Sequence, residues 1–168
     1  IEGSNDRHNF RTLCDPTGNP LSITRAQLTA ILPLVAYIRP RVSVGDDSTA
    51  NVTGEGSLLT STALLTVGLA STSSLSILSG ADVASAETHV GEFDAALGTI
   101  TVSGAGSTWT NLGLLKVGIT GSGSVNITNG GNVSCQGLTL GDGAASSGSC
   151  TITGGLSRLD CGASGVLM

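Results

Sequence analysis

Residues 98–118 read GTITVSGAGSTWTNLGLLKVG, and this stretch decides the fold because it is one copy of a unit that recurs along the chain. A shift of 50 residues (118 − 68 = 50) places Gly68 on Gly118 without a gap. The same shift aligns glycine, serine and aliphatic positions through the unit: Val52 with Val102, Gly54 with Gly104, Ser57 with Ser107, Leu65 with Leu115 and Ile77 with Ile127. A repeat of this length is typical of solenoids and propellers.

Each 50-residue unit divides into two similar rungs, since residues 98–118 match GSVNITNGGNVSCQGLTLG at 123–141. Each rung holds three short runs of β-forming residues separated by glycine-rich turns. A propeller blade needs four strands, so the pattern favours an all-β, right-handed parallel β-helix. The predicted rungs are 49–68, 73–91, 98–118, 123–141 and 148–168.

Alternation within each run predicts which side chains face the interior. Ile100 and Val102 should point inward and stack on equivalent residues of the neighbouring rungs, at the spacing of about 4.8 Å between paired strands. The glycine that ends each third run suits a corner with positive φ. Trp109 has no aromatic counterpart in the aligned copies, where Leu59 and Leu159 stand. We interpret it as a single large filler of the core.

Composition narrows the classes of function. The net charge is −5 and the seven basic residues are scattered, which argues against nucleic acid as a partner. No apolar run reaches the roughly 20 residues of a membrane-spanning helix, so we predict no membrane insertion by this chain. The sequence has no initiator Met or signal peptide and stops in mid-pattern, which we interpret as a fragment or processed product.

The N-terminal segment 1–41 does not follow the repeat, which occupies 42–168. Polar residues and turn signals predict an irregular lead-in over 1–20. Residues 22–32 fit a short helix between a Ser22 N-cap and Pro33, and the following LVAYI resembles a strand. Such a segment would cover the open end of a β stack, so we predict that residues 1–41 act as a cap or docking element.

The central repeat resembles a known family. VSGAGSTWTN, then L-x-VG, then GSGSVNITNGGNVS, over residues 102–134, is similar to the repeat shared by type V secretion passengers and PEP-CTERM-associated proteins of Gram-negative bacteria. The resemblance covers roughly residues 49–168 and implies a secreted or surface-displayed parallel β-helix, as in autotransporter passengers and filamentous adhesins. The outer copies depart from the pattern, with Leu59 and Ser61 in one and Leu159 and Cys161 in the other.

Cys135 and Cys161 occupy the same inward position in adjacent rungs, the one that Asn111 holds in the central copy. Stacked in register, their Cα atoms should be about 5 Å apart, which a disulfide tolerates. Two stacked small side chains are the alternative, and a redox or metal role is a third. Cys150 aligns with Ile100 and is predicted to lie in the core, whereas Cys14 has no evident partner.

Acidic residues follow the third runs: Asp46 and Asp47, Glu92, and Asp142. These turns should line up along one edge, as a solvated acidic row or, alternatively, a Ca²⁺ site. His89 is predicted to lie on the surface. A glycoside hydrolase needs two acids at a fixed separation beside a groove, and the sequence offers no long loops to form its walls and almost no aromatics to stack sugars. We therefore predict no catalytic, metal-binding or cofactor-binding residues and no enzyme activity.

The outward side of the first run of each rung is rich in Ser, Thr and Asn. A regular array of short hydroxyls is used by ice-binding solenoids and is suited to glycans, although exposed strands tolerate such residues without any ligand. The candidate binding face comprises Thr99, Thr101, Ser103, Ser124, Asn126, Thr128, Thr151 and Thr153.

The expected function is that of a non-enzymatic, extracellular or cell-surface β-helical protein: a stalk, passenger or filament subunit. Its copies could associate end to end, with residues 1–41 capping the next open rung. The alternatives are a module that binds glycan, calcium or ice on the hydroxyl face and, less favoured, a polysaccharide-active enzyme.

Overall fold

The computed structural model describes residues 2–4, 11–12, 37–39, 48–162 and 165–167 of the 168-residue chain. Its regular elements in these ranges are all β-strands. They contain no helix with the length and apolar character needed to cross a membrane. The chain divides into two compact units, Ile1–Val44 and Gly45–Met168.

The first unit contains a three-stranded antiparallel sheet. Strand β1 (Glu2–Ser4) pairs with β2 (Arg11–Thr12) on one side and with β3 (Tyr37–Arg39) on the other. The prediction of an irregular lead-in was therefore wrong at residues 2–4 and 11–12. The pairing partner β3 is distant in sequence, so local composition could not reveal it. The helix predicted over 22–32 lies outside the described residues, and the capping role of residues 1–41 stays a prediction.

The second unit is a parallel β-solenoid of five turns, as predicted. Its strands in chain order are β4 (Ser48–Thr53), β5 (Leu58–Val67), β6 (Thr72–Leu78), β7 (Asp82–Val90), β8 (Leu97–Ser103), β9 (Thr108–Asn111), β10 (Leu114–Val117), β11 (Ser122–Thr128), β12 (Asn132–Cys135), β13 (Gly137–Leu140), β14 (Ser147–Thr153), β15 (Arg158–Cys161) and β16 (Val166–Leu167). The first strands of the rungs form a five-stranded sheet in the order β14-β11-β8-β6-β4. Thr72 pairs with Leu97, and Leu97 pairs with Ser122. Each step of 25 residues along the chain therefore leads to the equivalent position in the next rung.

The remaining strands form one eight-stranded sheet, in which the long β7 pairs with both β9 and β10. The prediction of three strands per rung is therefore correct for the last three rungs. It is wrong for the first two, because β5 and β7 each continue through the second corner, the point at which later rungs break between their second and third strands. The later rungs break at this corner beside a glycine. A Cβ on Gly113 would lie 2.7 Å from the carbonyl oxygen of Ala86, so the sharper path requires glycine. The early rungs have Ala63 and Ala86 near this point and continue as strand.

The core is a continuous stack of aliphatic side chains inside the solenoid. Ile100 and Val102 are fully buried, with Leu75 and Ile77 on one side and Val125 and Ile127 on the other, as the alternation predicted. Trp109 is also fully buried and stands in register between Val83 and Val133. Its interpretation as a core filler is confirmed.

Glycines form the corners between the third strand of one rung and the first strand of the next. Gly91 and Gly118 have φ of 70° and 73°, in the left-handed region that was predicted for them. A Cβ on either would lie 2.2 Å from a backbone oxygen, that of Ser122 or Ser147 respectively. These two corners therefore require glycine both for conformation and for the close approach of β11 and β14, the strands that begin two rungs further along the chain.

Candidate binding surfaces

The predicted hydroxyl face lies on the outward side of the five-stranded sheet, where parallel pairing places equivalent residues in columns. The central column runs Asn51, Ser76, Thr101, Asn126, Thr151. Side columns contain Thr49, Ser74, Thr99, Ser124, Ser149 and Thr53, Leu78, Ser103, Thr128, Thr153. All eight candidate residues therefore share one surface, with spacings of about 4.8 Å between strands and about 7 Å along a strand.

This hydroxyl face carries no charged residue on its five described strands. Two leucines interrupt it: Leu78, and Leu97, whose side chain is 50% exposed. Some hydroxyls bond to each other or to a neighbouring turn, since Ser74 donates to Thr49 at 3.1 Å and the amide of Asn129 donates to Ser103 at 3.2 Å. The remaining groups can donate to and accept from a polar ligand or water.

A second candidate surface is a shallow depression of about 320 Å³ on the outer side of β9, β12 and β15. Its lining consists of Thr108, Trp109, Thr110, Asn132, Val133, Ser134, Arg158 and Asp160. Arg158 and Asp160 are ion-paired across 2.7 Å at one end. Asp160 is the one carboxylate in this lining, so the depression lacks the acid pair that glycoside hydrolysis uses. The sequence did not predict this depression, because its shape depends on how side chains from three different rungs pack beside one another.

The predicted acidic row is not continuous. The backbone nitrogen of Ile119 donates to the oxygen of Gly91, and that of Asp142 donates to Gly118, so Ile119 stands between Glu92 and Asp142 in the stack. Asp142 pairs with Lys116 at 3.5 Å. Asp46 and Asp47 lie outside the described residues. Among the described residues, no three His, Cys, Asp or Glu side chains are grouped as metal ligands.

His89 occupies an outward register position, opposite Thr66 and Lys116. His89 therefore points outward, as expected of a surface residue. Its side chain is nevertheless only 16% exposed. Its ring lies between two carboxylates: Nε2 is 3.5 Å from Glu87 and Nδ1 is 3.5 Å from Glu92. Glu92 also accepts a hydrogen bond from Thr66. The glutamates cover the imidazole, and no local pattern in the sequence predicts this.

Cys135 and Cys161 face each other as predicted, paired in register between β12 and β15. Both are free thiols, with sulfur atoms 3.7 Å apart. Burial, together with the hydrogen bond and proximity to Cys161, raises the pKa of the Cys135 thiol to about 12. Cys150 packs against the core from β14, and burial raises its pKa as well. Cys14 lies outside the described residues.

A buried polar network in the middle of the solenoid was missed. The hydroxyl of Ser85 donates to Oδ1 of Asn111 at 2.9 Å, and Thr88 donates to the same oxygen at 2.8 Å. The indole of Trp109 donates to Ser85, and the amide of Asn111 donates to the backbone oxygen of Gly113. One signal is present in the sequence: the 50-residue shift places Ser85 on Cys135, and alternation assigns Cys135 to the interior.

Comparison with protein-family models, curated proteins and solved structures finds no match to any of the three. A functional proposal for this chain therefore rests on its fold and on its candidate binding surfaces.

Proposed function

We propose that this chain is a non-enzymatic structural module that serves as a stalk, passenger or filament subunit, outside the cell or on its surface. The observation that supports it most directly is the in-register stacking of five rungs around one continuous core. Each rung bonds only to its neighbours, so the length of such a solenoid increases with the number of repeats and not with new contacts. A stack of this kind can hold a partner at a set distance.

The resemblance of residues 102–134 to passenger repeats supports an extracellular location and an adhesive role. Candidate partners are a surface glycan, another host ligand, or further copies of the chain joined end to end. Electron microscopy of the purified chain over a concentration series tests the last of these. Fibres that lengthen with concentration support end-to-end assembly, and short particles of constant length at every concentration contradict it.

Insertion of a second copy of residues 98–147 between Ser147 and Gly148 tests the stalk. The register of the repeat is preserved, because Gly98 and Gly148 are equivalent positions. Two added rungs should extend the particle by about 10 Å, which small-angle X-ray scattering measures as a larger maximum dimension. The chain should still unfold cooperatively, but its melting temperature is compared with that of a control chain, because the duplicated Asn111 stands opposite Cys135 and not Ser85.

A control chain receives the same inserted segment with its sequence scrambled, at the same place. It should lose the regular increment and expose apolar surface. Equal dimensions or equal stability for the two insertions would contradict the proposal that repeat stacking sets the length.

The second candidate function is binding of a polar ligand, such as a glycan or ice, on the hydroxyl face. The specific observation in its favour is an uncharged array of Ser, Thr and Asn columns across five strands. Thr101→Leu, at the centre of the array, should abolish retention on immobilised glycans or growth inhibition of ice crystals without lowering the melting temperature. Thr60→Leu, at an exposed position on the other sheet and outside the depression, is the matched control and should retain both. Equal behaviour of the two variants would exclude this face.

A further inference from the structure

Two thiols face each other inside the last two rungs. Cys135 ends β12, Cys161 ends β15, and parallel pairing sets them directly opposite one another. Opposite residues on neighbouring strands are about 4.8 Å apart, within the range of Cα separations that disulfides span. The sulfur atoms are 3.7 Å apart, so bond formation requires them to approach by roughly 1.7 Å. Rotation about side-chain bonds can supply such a shift without moving the strands.

We propose that Cys135 and Cys161 are a site of oxidative modification, at which a disulfide joins the fourth rung of the solenoid to the fifth. This inference is independent of the stalk function, because it rests on the geometry of one pair of side chains. A small disulfide, such as glutathione disulfide, serves as the oxidant.

The reaction is two successive thiol–disulfide exchanges. The thiolate of Cys161 attacks one sulfur of glutathione disulfide, forms a mixed disulfide and releases one glutathione thiolate. Cys135 then loses its proton and attacks the Cys161 sulfur, which releases the second glutathione thiolate. The two protons from the cysteines end on the two glutathione molecules. Two cysteine thiols are oxidised and one glutathione disulfide is reduced.

The environment of the two sulfurs sets the order of these steps. Cys135 is 7% exposed, and its raised pKa, about 12, leaves little thiolate near neutral pH. Cys161 is only half-buried, so it meets a small oxidant first. The second step is then intramolecular, which compensates for the low thiolate fraction of Cys135. The rate of closure should increase with pH up to that pKa, because the thiolate fraction rises about tenfold with each pH unit below it.

Cys150 is the competing thiol. It belongs to β14 in the other sheet, where it pairs with Val125 and not with either cysteine. The contact at 3.7 Å joins Cys135 to Cys161. The geometry therefore favours one of the three pairings that these thiols allow.

In the middle of the solenoid, a hydrogen bond joins the residues at the inward position that Cys135 and Cys161 occupy in the last two rungs. Ser85 pairs with Asn111 between the second and third rungs, and their side chains are joined by a hydrogen bond of 2.9 Å. The thiol pair takes the equivalent place between the fourth and fifth rungs. Oxidation would replace a weak thiol contact with a covalent link along the solenoid axis.

Peptide mapping tests the pairing directly. The full chain with Cys14→Ser, which removes the fourth thiol, is treated with glutathione disulfide at mildly alkaline pH, alkylated and cleaved before aspartate without reductant. Cleavage at Asp94, Asp142 and Asp160 gives fragments 94–141, 142–159 and 160–168, each with one cysteine. Mass spectrometry should find 94–141 linked to 160–168. Fragment 142–159 linked to either of the others, or three unlinked fragments, would overturn the proposal.

Two further variants in the Cys14→Ser chain provide controls. Cys150→Ser should retain the linkage, and Cys161→Ser should lose it. Oxidation should raise the melting temperature of the Cys150→Ser chain by about 5–10 °C, and reduction should reverse the change. An unchanged or lower melting temperature on oxidation of that chain would show that the bond strains the native stack, and would contradict a disulfide that joins the two rungs in their native register.

Discussion

The middle rungs and the C-terminal end of the solenoid are built from the same repeat, but equivalent positions have different surroundings. Ile127 in β11 is fully buried, whereas its partner Ile152 in β14 is 46% exposed. Gly91 and Gly141 both have φ of 70°, but an added Cβ would meet the Ser122 oxygen at 2.2 Å in one and no atom nearer than 3.8 Å in the other. The repeat sequence determines which way a side chain points. The strands stacked against it determine how deeply that side chain is buried and how much room a larger residue would have.

The largest difference is expected at the corner glycines. Gly91→Ala adds a strained left-handed residue and a clash with backbone, so it should cost about 4 kcal/mol or more of unfolding free energy. Gly141→Ala has the same strain without the clash and should cost about 1–2 kcal/mol. Urea unfolding of the two variants measures both. Equal losses would mean that φ alone decides the residue at these corners.

The aliphatic ladder gives the next comparison. Ile127→Ala leaves a cavity between two rungs and should cost about 3–4 kcal/mol. Ile152→Ala removes a side chain that is already half in solvent and should cost about 1 kcal/mol. Urea midpoints again provide the measurement. The comparison fails if Ile152→Ala is as destabilising as Ile127→Ala.

The polar ladder is expected to show a similar contrast. Asn111→Ala removes the acceptor of Ser85 and Thr88 and the donor to Gly113, so it should cost about 3 kcal/mol. Cys161→Ala removes one thiol at the half-buried end of the ladder and should cost about 1 kcal/mol. Thermal unfolding under reducing conditions separates the two. An Asn111→Ala variant as stable as Cys161→Ala would show that the network does not stabilise the middle rungs.

The stack itself could be predicted from the sequence because glycine spacing and alternation are local signals. The shift of Gly68 onto Gly118 established the repeat, and the alternation around Ile100 identified the inward residues. The opposition of Cys135 and Cys161 followed from the same register. These features depend only on the repeat period and on the alternation along a strand, neither of which requires knowledge of neighbouring side chains.

The features that were missed depend on contacts between side chains. The continuity of β7 through the second corner reflects the absence of a glycine where Gly113 stands in the next rung. The cover over His89 requires Glu87 and Glu92 to turn towards it from the same rung. Ser85 and Thr88 are polar, and sequence alone favours placing such residues outside. Their burial becomes favourable only because Asn111, one rung away, satisfies their hydroxyls.

The smallest change in unfolding free energy is expected on the outward side of the solenoid, where the difference between the middle rungs and the last rung should disappear. Thr101 and Thr151 share a column of the hydroxyl face, one in a middle rung and one in the last. Thr→Val at either position should change the unfolding free energy by less than about 0.5 kcal/mol, because solvent satisfies both hydroxyls and valine keeps the shape and β-propensity. Differential scanning calorimetry measures both variants. If Thr101→Val alone were destabilising, the middle rungs would be constrained on both sides, and the hydroxyl face would contribute to the packing of the solenoid.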